Sequence, residues 1–113
     1  MAVTPKPLVK GVLLGVASPG DPGLYKVPPA TVAVIRSLTF CNTDAVSRTI
    51  SAWLVRAGGS VDVTAEIYSG RVLAPGETYV DNALRVLEAG DFISAEASAI
   101  GVVSFRADGS QVT

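Results

Sequence analysis

The sequence has 113 residues, of which 49% are hydrophobic and 17% charged, with a net charge of −1 at pH 7. This length predicts one domain, and the low, scattered charge excludes the electrostatic attraction that nucleic acid requires. The absence of histidine and the single cysteine exclude Ser-His-Asp triads, Cys-His pairs and Cys/His zinc sites, so we expect no enzyme and no cofactor.

The chain begins with residues 1–7, which predict an extended arm ahead of a domain at 8–113. Pro5 and Pro7 lack backbone donors, so this arm cannot be a central strand. It is either a disordered tail or a segment that contacts a neighbouring subunit through Val3, Pro5 and Pro7. The apolar residues 11–17 are too few for a signal peptide, and no run reaches the roughly 18 residues that span a membrane.

Segments rich in Val, Ile, Thr and aromatic residues follow, separated by turns that contain Gly or Pro. The predicted strands are residues 8–17, 24–27, 31–41, 46–56, 61–69, 77–82, 92–99 and 102–107. No window keeps the spacing of an amphipathic helix. About eight short strands with frequent turns predict an all-β fold, a single antiparallel β-sandwich of Ig-like or jelly-roll-like type.

Residues 31–41 and 46–56 predict a hairpin, because both carry apolar side chains at even positions and opposite residues share a face. Pairing Phe40 with Arg48 places Leu38 opposite Ile50. The predicted core face comprises Val32, Val34, Leu38, Phe40, Val46, Ile50, Ala52 and Leu54. Residues 92–99 and 102–107 predict a second hairpin, whose turn has Gly101 in the left-handed region.

The same register places Trp53, Ile35 and Val55 on an outer face. A tryptophan on such a face is typical of an interface anchor. The alternatives are that a bulge turns Trp53 into the core or that the amino-terminal strand covers it. Arg36 and Arg48 interrupt the core face. Arg48 lies near a strand end and could stack on Phe40 with its charged end in water. Arg36 lies deeper and indicates either a salt bridge across a subunit boundary or, as we favour, a pair within the chain.

A metal site is not predicted. The side chains of Asp62, Asp81 and Asp91 could meet between strands, but their spacing lacks the alternate-residue pattern of a calcium loop. Asp21, Asp44 and Asp91 are better explained as turn residues that hydrogen-bond their own backbone.

Five stretches of the sequence carry a resemblance to a known class of proteins. They are residues 25–31, 34–38, 41–43, 73–78 with the motif LAPGET, and 87–93. Across residues 24–100 the chain resembles small β-sandwich proteins of tailed-phage virions, namely capsid decoration or cement-type proteins and related tail or fibre modules. The resemblance implies a non-enzymatic homo-oligomer, often a trimer, that binds the major capsid protein or another virion protein on the capsid exterior.

Two alternatives stay open. One is a structural component at the head-tail junction or in the tail. The other is a carbohydrate- or ligand-binding sandwich module, although the aromatic residues are few and dispersed. A charged fraction of 17%, against the usual ~25%, favours a surface that a partner covers. The alternative is that a small sandwich rich in Ala and Val has this low charged fraction without any partner.

Overall fold

The computed structural model describes residues 2–113, which form nine β-strands. The strands are β1 (Val3–Leu13), β2 (Tyr25–Lys26), β3 (Val32–Asn42), β4 (Arg48–Val55), β5 (Glu66–Leu73), β6 (Thr78–Asp81), β7 (Arg85–Leu87), β8 (Phe92–Ala97) and β9 (Val103–Val112). Within the described residues there is no helix long and apolar enough to span a membrane.

The strands form two antiparallel sheets packed face to face. The five-stranded sheet has the order β1-β9-β3-β6, with β7 also pairing with β3, and the four-stranded sheet has the order β2-β8-β4-β5. Their inner faces bury a core that includes Leu38, Phe40, Ile50, Leu73 and Phe105. The predicted antiparallel β-sandwich is therefore confirmed, with the short strand β7 added to it.

Neither predicted hairpin forms. Strand β3 pairs with β6, β7 and β9, whereas β4 pairs with β5 and β8, so the chain crosses from one sheet to the other after Asn42. The same holds for β8 and β9, which lie in opposite sheets. The side-chain amide of Asn42 holds the first crossing by donating hydrogen bonds to the carbonyl oxygens of Val46, Leu73 and Ala74. Gly101 does have the predicted left-handed φ of 75°.

A β-bulge at Arg36 changes which face of β3 is buried. In the pairing of β3 with β9, Ile35 lies opposite Gly109 while Ser37 lies opposite Asp108, so Arg36 is an extra residue. Ala33 and Ile35 are buried before the bulge, and Leu38 and Phe40 after it. The prediction that Val32 and Val34 face the core is therefore wrong: the inserted residue inverts the alternation, and both point outward.

Residues 3–7 belong to the five-stranded sheet. They pair with Asp108–Val112 of β9 and form the first half of the edge strand β1. The predicted extended conformation and non-central position agree with this placement, but the segment is part of the sandwich rather than an arm ahead of it.

Candidate interaction surface

Trp53, Ile35 and Val55 are not available to a partner, so the prediction that they form an exposed outer face is wrong. Ile35 lies in the core because of the bulge at Arg36. Trp53 and Val55 do lie on the outer face of the four-stranded sheet, beside Phe92, but Val61 and Ala65 pack over them. The segment between β4 and β5, residues 56–65, thus leaves Trp53 only 7% exposed.

The two arginines have different surroundings. Arg48 forms a hydrogen-bonded ion pair with Asp44 at 2.6 Å rather than the predicted stacking on Phe40, and this hydrogen bond lowers the pKa of Asp44. Arg36 is exposed at the bulge and forms no ion pair with any other residue of the described chain, so the internal pair predicted for it is wrong.

The open edge of β1 is poor in hydrogen-bond donors. Ala2 and Thr113 exchange both of their backbone hydrogen bonds at 2.9 Å. Because bonded and non-bonded pairs alternate in an antiparallel ladder, the backbone groups of Val3, Pro5 and Pro7 point away from β9. Pro5 and Pro7 have no N–H to offer there, so Val3 is the one outward-pointing donor of the three and this half of the edge is a poor template for another strand.

The remaining edges are also unsuited to strand addition. The second half of β1 has two register shifts, and β5 has two more in its pairing with β4. Gly70, within β5, has a left-handed φ of 63°. Strands β2, β6 and β7 have two, four and three residues. Irregular or very short edges of this kind discourage edge-to-edge association.

An apolar surface lies on the outer side of the five-stranded sheet. Val3, Val112 and Val32 are directly opposite one another on β1, β9 and β3. The next row contains Pro5, Ser110, Val34 and Val86. We call this surface the valine face; its apolar members are Val3, Pro5, Val32, Val34, Val86 and Val112.

The valine face is continuous and uncharged. Ser110 stands in its middle on an outward-facing position, yet it is only 5% exposed, since Pro5 and Val34 flank it on the neighbouring strands. Val3 is 62% exposed, Val86 50% and Val32 37%. Along β9 and β3 the charged residues Asp108 and Arg36 lie one row further along. On the β7 side the exposed Glu88 follows Leu87, the partner of Ala33, and so borders the face next to Val32. An exposed apolar patch with a polar border is typical of a protein-protein contact.

The most buried carboxylate, Asp91, holds the segment that covers Trp53. It accepts hydrogen bonds from the backbone N–H groups of Ala57 and Glu88 at 2.9 and 2.8 Å and from Arg56 at 2.7 Å. Burial alone would raise the pKa of Asp91, but these hydrogen bonds outweigh it and the pKa is lowered. Asp91 therefore links the start of residues 56–65 to the turn before β8.

A second carboxylate closes the side of the sandwich where β5 meets β6. Asp81 accepts hydrogen bonds from the Tyr68 hydroxyl and from Arg85. Burial opposes ionisation of Asp81, yet the Arg85 hydrogen bond and the N–H of Ala83 lower its pKa. The Tyr79 ring packs edge-on against Tyr68. These contacts join the two sheets and are satisfied within the chain.

The described residues bring no cluster of metal-ligating side chains together. Residues 2–113 contain no group of three or more His, Cys, Asp or Glu side chains placed to hold a metal ion. Asp62, Asp81 and Asp91 lie apart and accept hydrogen bonds from residues near them in the sequence. The donors are the Thr64 hydroxyl for Asp62, the Arg85 side chain for Asp81 and the N–H of Glu88 for Asp91. An open cleft of about 550 Å³ is lined by Val27, Pro28, Pro29 and Ala89 among others, and Lys26 is its one ionisable side chain.

The sequence and the structure were compared with known proteins, and no relative was found. No family model matches the sequence, and no curated protein and no solved structure is significantly similar to it.

Proposed function

We propose that this protein is a non-enzymatic structural subunit of a tailed-phage virion, where it binds the capsid exterior as a decoration protein. The observation that carries the structural role is the valine face. It places an uncharged apolar surface outside the core, and burying such a surface against a partner is favourable by about 25 cal/mol per Å². The virion as the site of assembly is supported by the resemblance across residues 24–100.

The satisfied interior supports a structural role as well. Among residues 2–113, every buried side-chain nitrogen or oxygen has a hydrogen-bond partner. The carboxylates of Asp91 and Asp81 both accept hydrogen bonds that join parts of the fold. Asp91 bonds the N–H of Ala57 in the segment after β4, and Asp81 bonds the Arg85 side chain. The alternative of a carbohydrate-binding module loses its main candidate, because the ring of Trp53 is covered by residues 56–65.

The test is whether the protein belongs to a particle. Tailed-phage particles from a host that expresses the chain would be purified by density gradient, and their proteins identified by mass spectrometry and imaged. We expect the chain at many copies per head, with retention weakened by Val32→Glu and unaffected by Val72→Glu on the four-stranded sheet. A chain that never enters the particle fraction would refute the virion proposal.

A further inference from the structure

We propose that residues 56–65 form a strap that opens as one unit while the sandwich stays folded, so that the ring of Trp53 alternates between a covered and an uncovered state. The strap lies on the outer face of the four-stranded sheet, and Asp91 holds its first residues. The inference is independent of the proposed function, because the valine face lies on the other sheet and the strap can open whether or not the chain enters a virion.

The strap has few contacts with the sheet beneath it. Eight of its ten residues are exposed. Val61 and Ala65 are the hydrophobic strap residues that pack on the cluster of Trp53, Val55 and Phe92. Elsewhere an open cavity of about 360 Å³ lies between the strap and strands β4 and β5. A segment with few buried apolar contacts and an exposed backbone is of the kind that opens locally, at a lower free energy than the whole domain.

The strap keeps its own hydrogen bonds when it moves. It consists of two turns, in which the N–H of Gly59 donates to the carbonyl oxygen of Arg56 and the N–H of Ala65 to that of Asp62. The Asp62 side chain also accepts hydrogen bonds from the N–H and the hydroxyl of Thr64. Because these bonds lie within the strap, none of them has to break when it leaves the sheet.

The first attachment of the strap is the carboxylate of Asp91. It accepts hydrogen bonds from the N–H of Ala57 at 2.9 Å and from the Arg56 side chain at 2.7 Å. Arg56 also donates a longer bond of 3.4 Å to the carbonyl oxygen of Val86. The Arg56 side chain is 69% exposed, so water can replace its bonds, and the Ala57 bond is the main hold on this end.

The second attachment is at the other end of the strap. The N–H of Leu54 donates to the carbonyl oxygen of Ala65 at 3.0 Å, one pair beyond the last ladder pair of β4 and β5, Trp53 with Glu66. Opening therefore breaks bonds at the two ends and removes Val61 from the Trp53 ring, while the strand pairing of both sheets stays in place.

The experiment is amide hydrogen exchange of the folded, full chain, followed by NMR. Leu54 and Ala57 are the reporters of the two ends, and Phe40, buried in a strand with partners on both sides, reports on global unfolding. We expect Leu54 and Ala57 to have the same protection factor, lower than that of Phe40 by at least about tenfold. Leu38→Ala should speed exchange at Phe40 and leave both strap reporters unchanged, because strap opening does not disturb the core.

Asp91→Asn should speed exchange at Leu54 by about tenfold or more and increase acrylamide quenching of the Trp53 emission, because it weakens bonds that only the closed strap makes. Val61→Ala is a second variant with the same expected direction, for use if Asp91→Asn does not fold. Asp21→Asn is the matched control, since Asp21 forms an exposed pair with Lys26 away from the strap.

Three results would overturn the inference. In the first, Leu54 is as protected as Phe40, or Leu38→Ala speeds both equally, so that the strap opens only by global unfolding. In the second, Leu54 and Ala57 differ in protection, so that the strap is not one unit. In the third, a folded Asp91→Asn or Val61→Ala protein matches wild type in exchange at Leu54 and in quenching of Trp53.

Discussion

Replacing Asp91 with alanine should destabilise the protein and uncover Trp53. The substitution removes three hydrogen bonds to a carboxylate whose side chain is 3% exposed. The Arg56 side chain is 69% exposed, so its ion pair should contribute under about 1 kcal/mol. The N–H groups of Ala57 and Glu88 are the larger loss. Hydrogen bonds to a charged group contribute about 1.5–3 kcal/mol each, but both residues can regain water, so we expect a total of about 2–4 kcal/mol.

Trp53 makes this prediction specific to a site, because it is the only tryptophan of the chain. Loss of Asp91 releases the start of residues 56–65, and the Trp53 emission should shift to the red under conditions where the protein remains folded. Urea unfolding gives the free energy, and quenching of the emission gives the exposure. Asp21→Ala is the control, since Asp21 forms only an exposed pair with Lys26. An Asp91→Ala protein with unchanged stability and emission would refute this role.

The pH dependence follows from the lowered pKa of Asp91. The folded state holds the carboxylate ionised more strongly than the unfolded chain does, so its contribution is complete above the unfolded pKa of about 3.9. That contribution is lost as pH falls through the lower folded pKa. We expect wild type to lose stability below about pH 4 by more than Asp91→Asn does. Because Asp81 also titrates with a lowered pKa in both proteins, the difference between the two curves isolates Asp91.

Three further predictions concern the core and the edge strand. Leu38→Ala and Ile50→Ala should each cost about 2–5 kcal/mol in urea unfolding, against under about 1 kcal/mol for the outward-facing Thr39→Ala; equal values would contradict the register of β3. Trp53→Ala should cost about 3–5 kcal/mol, and a smaller loss would mean that residues 56–65 do not cover the ring. Deleting residues 2–7 should change stability by less than about 1 kcal/mol, because the edge hydrogen bonds are offset by regained backbone entropy; loss of cooperative thermal unfolding would refute this.

Alternation of side chains was sufficient to predict part of the core. Leu38, Phe40 and Ile50 are buried as expected, because period-two burial depends only on the strand having one face inward. The sheet partners could not be obtained in the same way. Leu38 and Ile50 both point inward whether their strands lie side by side or face each other across the core, and the pattern is the same in both cases. The structure has the second arrangement.

The outer surfaces were harder to predict because they depend on parts of the chain without periodicity. The outward position of Trp53 on β4 was predictable, but its burial depends on residues 56–65, half of which the pattern assigned to a strand beginning at residue 61. The last strand was predicted to end at residue 107, although β9 continues to Val112. Because Ser110 and Val112 were not assigned to a strand, there was no reason in the sequence to expect Val3, Val32 and Val86 on one surface.

The bulge at Arg36 connects the core to the proposed contact surface. With regular alternation from Leu38 backwards, Val34 and Val32 would point inward and Ile35 and Ala33 outward. The extra residue reverses this half of β3, so that Ala33 and Ile35 fill the core while Val32 and Val34 join Val3, Val86 and Val112 outside. Exposing valines in place of a small alanine and one isoleucine gives no advantage to an isolated domain, since both sets are apolar. What the reversal does provide is two adjacent rows on the outer face, one with valines on three strands and one with Val34 and Val86 beside Pro5 and Ser110. Neighbouring valines of this kind contribute to pairing within the sheet. Under the proposed function they also form the surface that a partner covers.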